Sequence, residues 1–279
     1  MTPKINIYEV GPRDGIQIMP HIVGRHLKKE LIESLVNAGL IDIEVGSFVH
    51  PKLVPNMADS GELFEEISHL SARLGVLIPN HVGLDRAMVV GAEYYNIFYS
   101  PIASFNTANH GKSYNEVLSH YRSALMKISP NQVRVYLSMA FNANRKELEK
   151  AVKDGLELGS TIVLCDTDGT ATEDQIYHAI RVTKNFTDNI ALHLHSSHKI
   201  MSHVEMAYDQ GIREFDCSIG GMGGCPFIEG SQANLATEVM VQWCNERGIE
   251  TGVDLNALQP ALDIVKKIKD HPALIELGQ

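Results

Sequence analysis

Two histidines stand two residues apart in an apolar run, NIALHLHSSH, at 189–198. In an extended strand, residues i and i+2 leave the same face. His193 and His195 would therefore aim at one point, as metal ligands do. A strand histidine taken alone is as readily a hydrogen-bonded core residue, so the pair needs partners. Asp14 in EVGPRDG (9–15) and Asn234, downstream of GGMGGCPFIEG (220–230), supply oxygen donors. One carboxylate, two imidazoles and an amide oxygen suit Mg2+ or Mn2+, with positions left for substrate oxygens. Zn2+ also fits two histidines and a carboxylate. Arg13 adjoins Asp14, and its fixed cation would stabilise negative charge growing on a carbonyl oxygen. By itself such a pair also reads as a surface ion pair. Glu44 and Asp166 would orient the ligands or Arg13 from behind. Cys225 follows Gly220, Gly221, Gly223 and Gly224. It would be a proton donor in a loop that lets a ligand approach the backbone closely, although most buried cysteines are inert.

Those residues need a scaffold, and the chain supplies a repeating one. Strand-like runs are INIYEV (5–10), IDIEVGSF (41–48), GVLIPN (75–80), YYNIFYS (94–100), VRVYLSMAF (133–141), TIVLCD (161–166), NIALHLH (189–195) and REFDCSI (213–219). Helix-compatible stretches lie between them, at 26–39, 113–128, 145–159, 174–186 and 198–211, and Gly39, Gly159 and Gly211 are expected to end three of them. Strand then helix, eight times, predicts an α/β fold of the (β/α)8 TIM-barrel type. A doubly wound sheet would carry GxGxxG after its first strand, and GPRDG is not that motif. Barrel enzymes place their chemistry where strands end. Arg13 and Asp14, Glu44, Asn80-His81, Asp166, the two strand-7 histidines and the 220–230 loop with Asn234 all fall at or near such ends. His21, His26, His198 and His203 read as solvent-facing or helix residues, Met201 and Met206 as helix packing, and Cys165, Cys217 and Cys244 as core.

Bulk composition narrows the class. With 279 residues, 44% of them hydrophobic, the chain is expected to form one domain over 1–279, its C-terminal segment (about 254–279) packing on the barrel. A net charge of −10 argues against nucleic acid or an anionic membrane as partner. No run of about 18 apolar residues predicts a membrane span, and the first residues lack a secretory core. Four cysteines without a CxxC pair point to a reducing, cytoplasmic setting.

The stretches EVGPRDGIQ (9–17), IEVGSFVHPKLVPNMADSGELF (43–64), HLH (193–195) and SIGGMGGCPFIEGSQANLATEVMV (218–241) resemble the hydroxymethylglutaryl-CoA lyase family, within the metal-dependent lyases and Claisen-type condensing enzymes on TIM barrels. The resemblance runs from about residue 5 to about residue 260. It implies metal ligands at Asp14, His193, His195 and Asn234, a catalytic arginine at Arg13 and a loop cysteine at Cys225. It implies supporting polar residues at Gln17, Glu44 and Asp166. Substrate contacts would fall on Gln17, Asn109, Gly223 and Gly224. The implied cofactor is Mg2+ or Mn2+, the substrate a small-molecule acyl-CoA, and the assembly a homodimer. The implied reaction is a retro-Claisen cleavage. His193 or Asp14 would take the hydroxyl proton, Arg13 would stabilise the enolate oxygen, and Cys225 would protonate the enolate carbon.

Three positions depart from the family pattern. HLH continues with Ser196 where the family has Asp. AFNANRKELEKAV (140–152) runs directly into a helix where the family carries a Gly-Cys-Pro-Tyr-Glu-Gly loop. The loop ASFNTANHGKSYNE (103–116) places Thr107 and Ala108 where basic residues commonly precede Asn109, with Lys112 as a substitute contact for CoA phosphates. The machinery is intact and the substrate-gripping periphery differs. Citramalyl-CoA is therefore an alternative substrate. A CoA-independent 4-hydroxy-2-oxo acid aldolase and a metal-binding, non-catalytic relative are the competing classes.

Overall fold

Branched and aromatic side chains fit a pleated surface, and the runs rich in them form strands. The computed structural model describes residues 2–195, 199–223 and 233–270. In chain order the elements are β1 (Asn6–Glu9), α1 (Arg25–Asn37), β2 (Asp42–Ser47), α2 (Ser60–Ile67), β3 (Arg73–Leu77), α3 (His81–Val89), β4 (Tyr94–Tyr99), α4 (Ala103–His110), α5 (Tyr114–Ala124), β5 (Val133–Leu137), α6 (Arg145–Leu156), β6 (Thr161–Cys165), α7 (Glu173–Thr183), β7 (Ile190–His193), α8 (Ile200–Asp209), β8 (Glu214–Cys217), α9 (Thr237–Glu246) and α10 (Gln259–Asp270). The eight strands pair in parallel in sequence order, and β8 pairs back onto β1 to close the barrel. This is the (β/α)8 fold that the alternation predicts.

Side chains alternate along each strand, and the two faces build two cores. Outward residues such as Ile7, Ile43, Val76, Ile97 and Leu192 pack beneath the helices in one continuous apolar cluster. Each such side chain is worth roughly 1.5–3 kcal/mol when fully buried. Inside the barrel, a small apolar group (Tyr136, Val163, Cys165, Ala191, with Phe98 against it) fills one side. Buried Tyr8, Glu44, Asn96 and Asp216 occupy the other. Gly75 makes this interior possible, because a Cβ there would sit 2.1 Å from the Tyr8 hydroxyl. Helix starts follow sequence chemistry. Ser113/Glu116, Asn144/Glu147 and Thr172/Gln175 form capping boxes on α5, α6 and α7. The last helix, α10, lies against α1 and buries Ala261, Ile264, Val265 and Ile268.

Local expectations shift in five places. Strand β3 lies at Arg73–Leu77, because Asn80 is taken as the N-cap of α3, accepting from the Gly83 amide at 3.0 Å. Strand β5 stops at Leu137, since Met139 takes a left-handed φ of 57° before a single 3-10 turn. Strand β7 stops at His193, and His195 pairs singly and antiparallel with Asn234. The 103–116 loop is instead helix α4, a left-handed Gly111, and the start of α5. Gly39 and Gly211 have the left-handed φ of helix stops, whereas Gly159 does not: it lets the chain approach β5, where a Cβ would lie 2.5 Å from the Val133 carbonyl oxygen. As the sequence indicates, β5 leads into α6 without a long loop.

Candidate metal centre

After Glu9, residues Gly11–Gly15 coil into one π-helical turn. The amides of Arg13, Asp14 and Gly15 all point at the Val10 carbonyl. Such turns are rare and concentrate at functional positions. Glycine frames this one for lack of space: a Cβ on Gly15 would sit 2.6 Å from Met222 Cβ. The result is that Arg13 and Asp14 are buried at the end of β1.

Asp14, His193 and His195 each present one ligand atom, and these atoms lie within 4.8 Å of one another. All three residues are buried. Asp14 Oδ1 accepts from Arg13 Nη1 at 2.7 Å and from Gln17 Nε2 at 2.9 Å, while Oδ2 accepts from Asn234 Nδ2 at 2.8 Å. His193 Nδ1 faces Asp216 Oδ2 at 3.1 Å, and His195 Nδ1 faces the Asp166 carbonyl oxygen at 2.5 Å. With Nδ1 engaged in both rings, Nε2 is the nitrogen left for a ligand. The ring centroids are 5.1 Å apart and the planes nearly perpendicular.

The residues fit a divalent cation. Asn234 is buried, its Nδ2 donates to Asp14 and to the Met222 carbonyl oxygen, and its Oδ1 has no hydrogen-bond partner among the described residues. A buried acceptor left unpaired costs roughly 1–3 kcal/mol, which a cation would relieve. Electrostatics agree. Burial opposes ionisation of Asp14, yet Arg13, His193 and the Asn234 hydrogen bond hold its carboxyl below the usual range. Burial, then the neighbouring His193, pushes His195 down to about 4, so it is neutral and able to ligate. Burial also acts to lower His193, but the Asp216 hydrogen bond and charge, with Asp14, raise it.

Arg13 is held on both sides. Its Nε and Nη2 meet Glu44 Oε2 at 2.5 Å, opposite the bond to Asp14. Burial works against the guanidinium charge, but Glu44 and Asp14 keep it protonated. Glu44 is pushed upward by burial, with Arg13 and Asn96 opposing. Its Oε1 accepts from Asn96 Nδ2 at 2.7 Å. Glu44 precedes a register shift in β2, between Glu44 and Gly46, and such irregularities re-aim side chains near functional sites.

Gln17 joins the cluster through Asp14. Gly223 forms its wall: φ is +116°, and a Cβ would fall 2.2 Å from Asn234 Nδ2 and 3.0 Å from Asp14 Oδ2. Asp166 orients His195 with its backbone carbonyl rather than its carboxylate. The carboxylate accepts from the Ala171 amide at 3.1 Å and is pushed up to about 6 by burial. Asn109 is exposed on α4, where its Nδ2 donates to the Phe105 carbonyl oxygen at 2.9 Å, and nothing brings it to the cluster. Asn80 and His81 also stand apart, Asn80 as a helix cap and His81 in an exposed pair with His120 at 2.9 Å. Ser196, Gly224 and Cys225 lie outside the described residues.

Sequence reasoning overlooked Asp216, Arg134, Tyr8 and Asn96. Asp216 is buried beside His193, and Arg134 Nη2 donates to Asp216 Oδ1 at 2.7 Å. Arg134 also pairs with Glu214 and lies over the Tyr8 ring, 3.9 Å from its centroid. The available signal was a charged residue in mid-strand, as in EFDC and VRVYL.

Comparison with known proteins agrees with this geometry. The HMGL-like family model matches residues 4–265. The mitochondrial hydroxymethylglutaryl-CoA lyase of Arabidopsis thaliana is 34% identical over 97% of this chain, which spans 61% of that protein. The (R)-citramalyl-CoA lyase of Chloroflexus aurantiacus is 31% identical over 99% of this chain and 94% of that protein. The crystal structure of the HMG-CoA lyase from Brucella melitensis superposes with a TM-score of 0.90 at 28% identity, covering 96% of this chain and all of that one. An HMG-CoA lyase from Acinetobacter baumannii, in complex with coenzyme A and 3-methylmalate, gives 0.88 at 32% identity over 97% of this chain and 93% of its own. All four are named as lyases of an acyl-CoA thioester.

Proposed function

This chain belongs to the HMGL-like family, and on that premise we propose that it is a divalent-metal-dependent carbon–carbon lyase. It cleaves a 3-hydroxy-3-methylglutaryl-CoA-like thioester into acetyl-CoA and acetoacetate. The observation that carries the reading is the convergence of Asp14, His193 and His195 on one point, beside an arginine braced by Glu44. Asp14, His193, His195 and the Asn234 amide oxygen would hold Mg2+ or Mn2+. Such an ion would supply Lewis acidity toward the substrate's oxygen groups. Asp14 accepts the hydroxyl proton, since His193 has Nδ1 engaged by Asp216 and Nε2 left for the ion. The C2–C3 bond breaks, and its electron pair passes to C2 as a thioester enolate. Arg13, kept charged by its two carboxylates, stabilises the enolate oxygen. Protonation at C2 is assigned to Cys225, on family resemblance, and completes acetyl-CoA. Gln17 and Gly223 border the substrate through their contacts at Asp14 and Asn234.

A second acyl-CoA, citramalyl-CoA, is favoured by the short connection from β5 to α6, a single 3-10 turn where the family pattern carries a loop, and by the Chloroflexus relative. A homodimer in the cytoplasm is part of the same reading. Among the described residues no helix is long and apolar enough to cross a membrane. Sedimentation and cell fractionation test the assembly and the compartment. The substrate is tested by offering both thioesters to chelator-stripped, Mn2+-reloaded protein and identifying products by mass spectrometry. Acetoacetate with acetyl-CoA supports the first reading, and pyruvate with acetyl-CoA the second. Turnover of neither, with turnover of a 4-hydroxy-2-oxo acid, contradicts both.

A further inference from the structure

Glu9 ends β1 and is wholly buried, yet the reaction described above makes no use of it. Its Oε1 accepts from the Gly11 amide at 2.9 Å and from the Ile219 amide at 2.9 Å, and its Oε2 accepts from Thr237 Oγ1 at 2.5 Å. The three donors begin three different segments. Gly11 opens the π turn that carries Arg13 and Asp14. Ile219 opens the 3-10 turn that leads to Gly223. Thr237 opens α9, three residues after Asn234.

We propose that Glu9 is a positioning residue that registers the turn carrying Arg13 and Asp14 against the segments carrying Gly223 and Asn234. The junction it controls is tight. Asn234 reaches Asp14 across it at 2.8 Å. A Cβ on Gly11 would sit 2.6 Å from Glu9 Oε1, so the carboxylate has no slack toward the turn. Backbone bonds between Ser218 and Leu235, and between Thr237 and Ser218, join the second and third segments to each other. Glu9 ties the first segment to both of them through one carboxyl group, beside the Asn234–Asp14 bond. Metal and transition-state geometry tolerates displacements of only about 0.5 Å, so loss of this joint would loosen the ligand set without touching a ligand.

All three hydrogen-bonding partners of Glu9 are neutral donors. The role therefore needs the shape of the side chain rather than its charge. Glutamine keeps Oε1 for the two amides and turns its NH2 toward Thr237 Oγ1, which can accept as well as donate. Glu9→Gln thus separates positioning from any chemical use of the carboxylate. Leucine has neither function.

The test rests on the metal reading for its main readout. Free Mn2+ is followed by electron paramagnetic resonance during titration of the metal-free full-length protein, alongside thermal unfolding of the same samples. Glu9→Gln should bind within about twofold of the unmutated chain, and Glu9→Leu about 10–100-fold more weakly. Thr237→Val, which removes one of the three donors, should fall between them and serves if the leucine variant does not fold. Leucine binding as tightly as the parent would overturn the proposal, as would glutamine binding as weakly as leucine. If the unmutated chain takes up no Mn2+, the metal reading fails on its own. The joint is then read from the Arg13 and Asn234 side-chain N–H signals of the metal-free protein by NMR. These must move in the leucine variant and hold in the glutamine one; equal shifts in both, or in neither, overturn the proposal.

Discussion

Asp216 holds His193: its Oδ2 lies 3.1 Å from the imidazole Nδ1, while its Oδ1 takes a 2.7 Å bond from Arg134. The carboxylate is fully buried, so no water competes for the imidazole. A carboxylate in this position fixes the tautomer that offers Nε2 and raises the basicity of the ring. Asp216→Asn keeps the shape and loses the charge. Metal affinity should fall about 10–100-fold with the fold intact, as read by competition with a fluorescent chelator. Unchanged affinity would show that Asp216 does not tune His193 as a ligand.

Arg13 bridges Glu44 and Asp14 with different nitrogens. Lysine retains the charge but cannot make that fork. Arg13→Lys should therefore lower kcat by about 10²–10³ while changing Mn2+ affinity only a few-fold. Steady-state kinetics beside a metal titration checks the split. Equal losses in both would mean that Arg13 acts mainly by holding Asp14.

Gly223 has no room for a side chain. Its φ of +116° is strained for any L residue, and the new Cβ would meet Asn234 Nδ2 at 2.2 Å. Gly223→Ala should destabilise the protein by roughly 1–3 kcal/mol and weaken metal binding together with it. Calorimetry with and without Mn2+ would expose the loss as a smaller metal-induced rise in Tm.

Glu9 also carries a pH signature. Burial, only partly offset by its three hydrogen bonds, pushes its carboxyl up from 4.5 to about 7. Folding therefore favours the protonated form. The linked stabilisation is fully present below 4.5 and is lost as pH rises through about 7. Its size is about 3 kcal/mol, at roughly 1.4 kcal/mol per pH unit of displacement. Glu9→Gln never ionises. Its stability relative to the unmutated chain should climb between those two pH values and level off above them, in urea unfolding across the range. A flat difference would contradict the shift.

The barrel was legible because each strand run carries its own branched and aromatic residues and each is followed by a helix-compatible stretch. The cluster was legible because Asp14, His193, His195 and Asn234 sit at the ends or loops of those runs. Other features depend on contacts that no local pattern encodes. Asp216 and Arg134 lie on β8 and β5 and meet only across the barrel interior. Asn80 and His81 follow a strand, as mouth residues should, but a helix N-terminus claims one and a neighbouring helix the other. ASFNTANH resembles a loop in composition, and it forms α4 because Asn106 is buried and bonds the Ser100 amide and carbonyl, which stitches the helix to the end of β4.

Thioester cleavage should depend on an ion at Asp14, His193 and His195. The most direct measurement is acetyl-CoA release from 3-hydroxy-3-methylglutaryl-CoA by the chelator-stripped chain, before and after Mn2+ is restored, with His195→Ala in parallel. The stripped protein should release no product, Mn2+ should restore release, and His195→Ala should not recover. Undiminished release from the stripped protein, or from His195→Ala, would contradict that dependence.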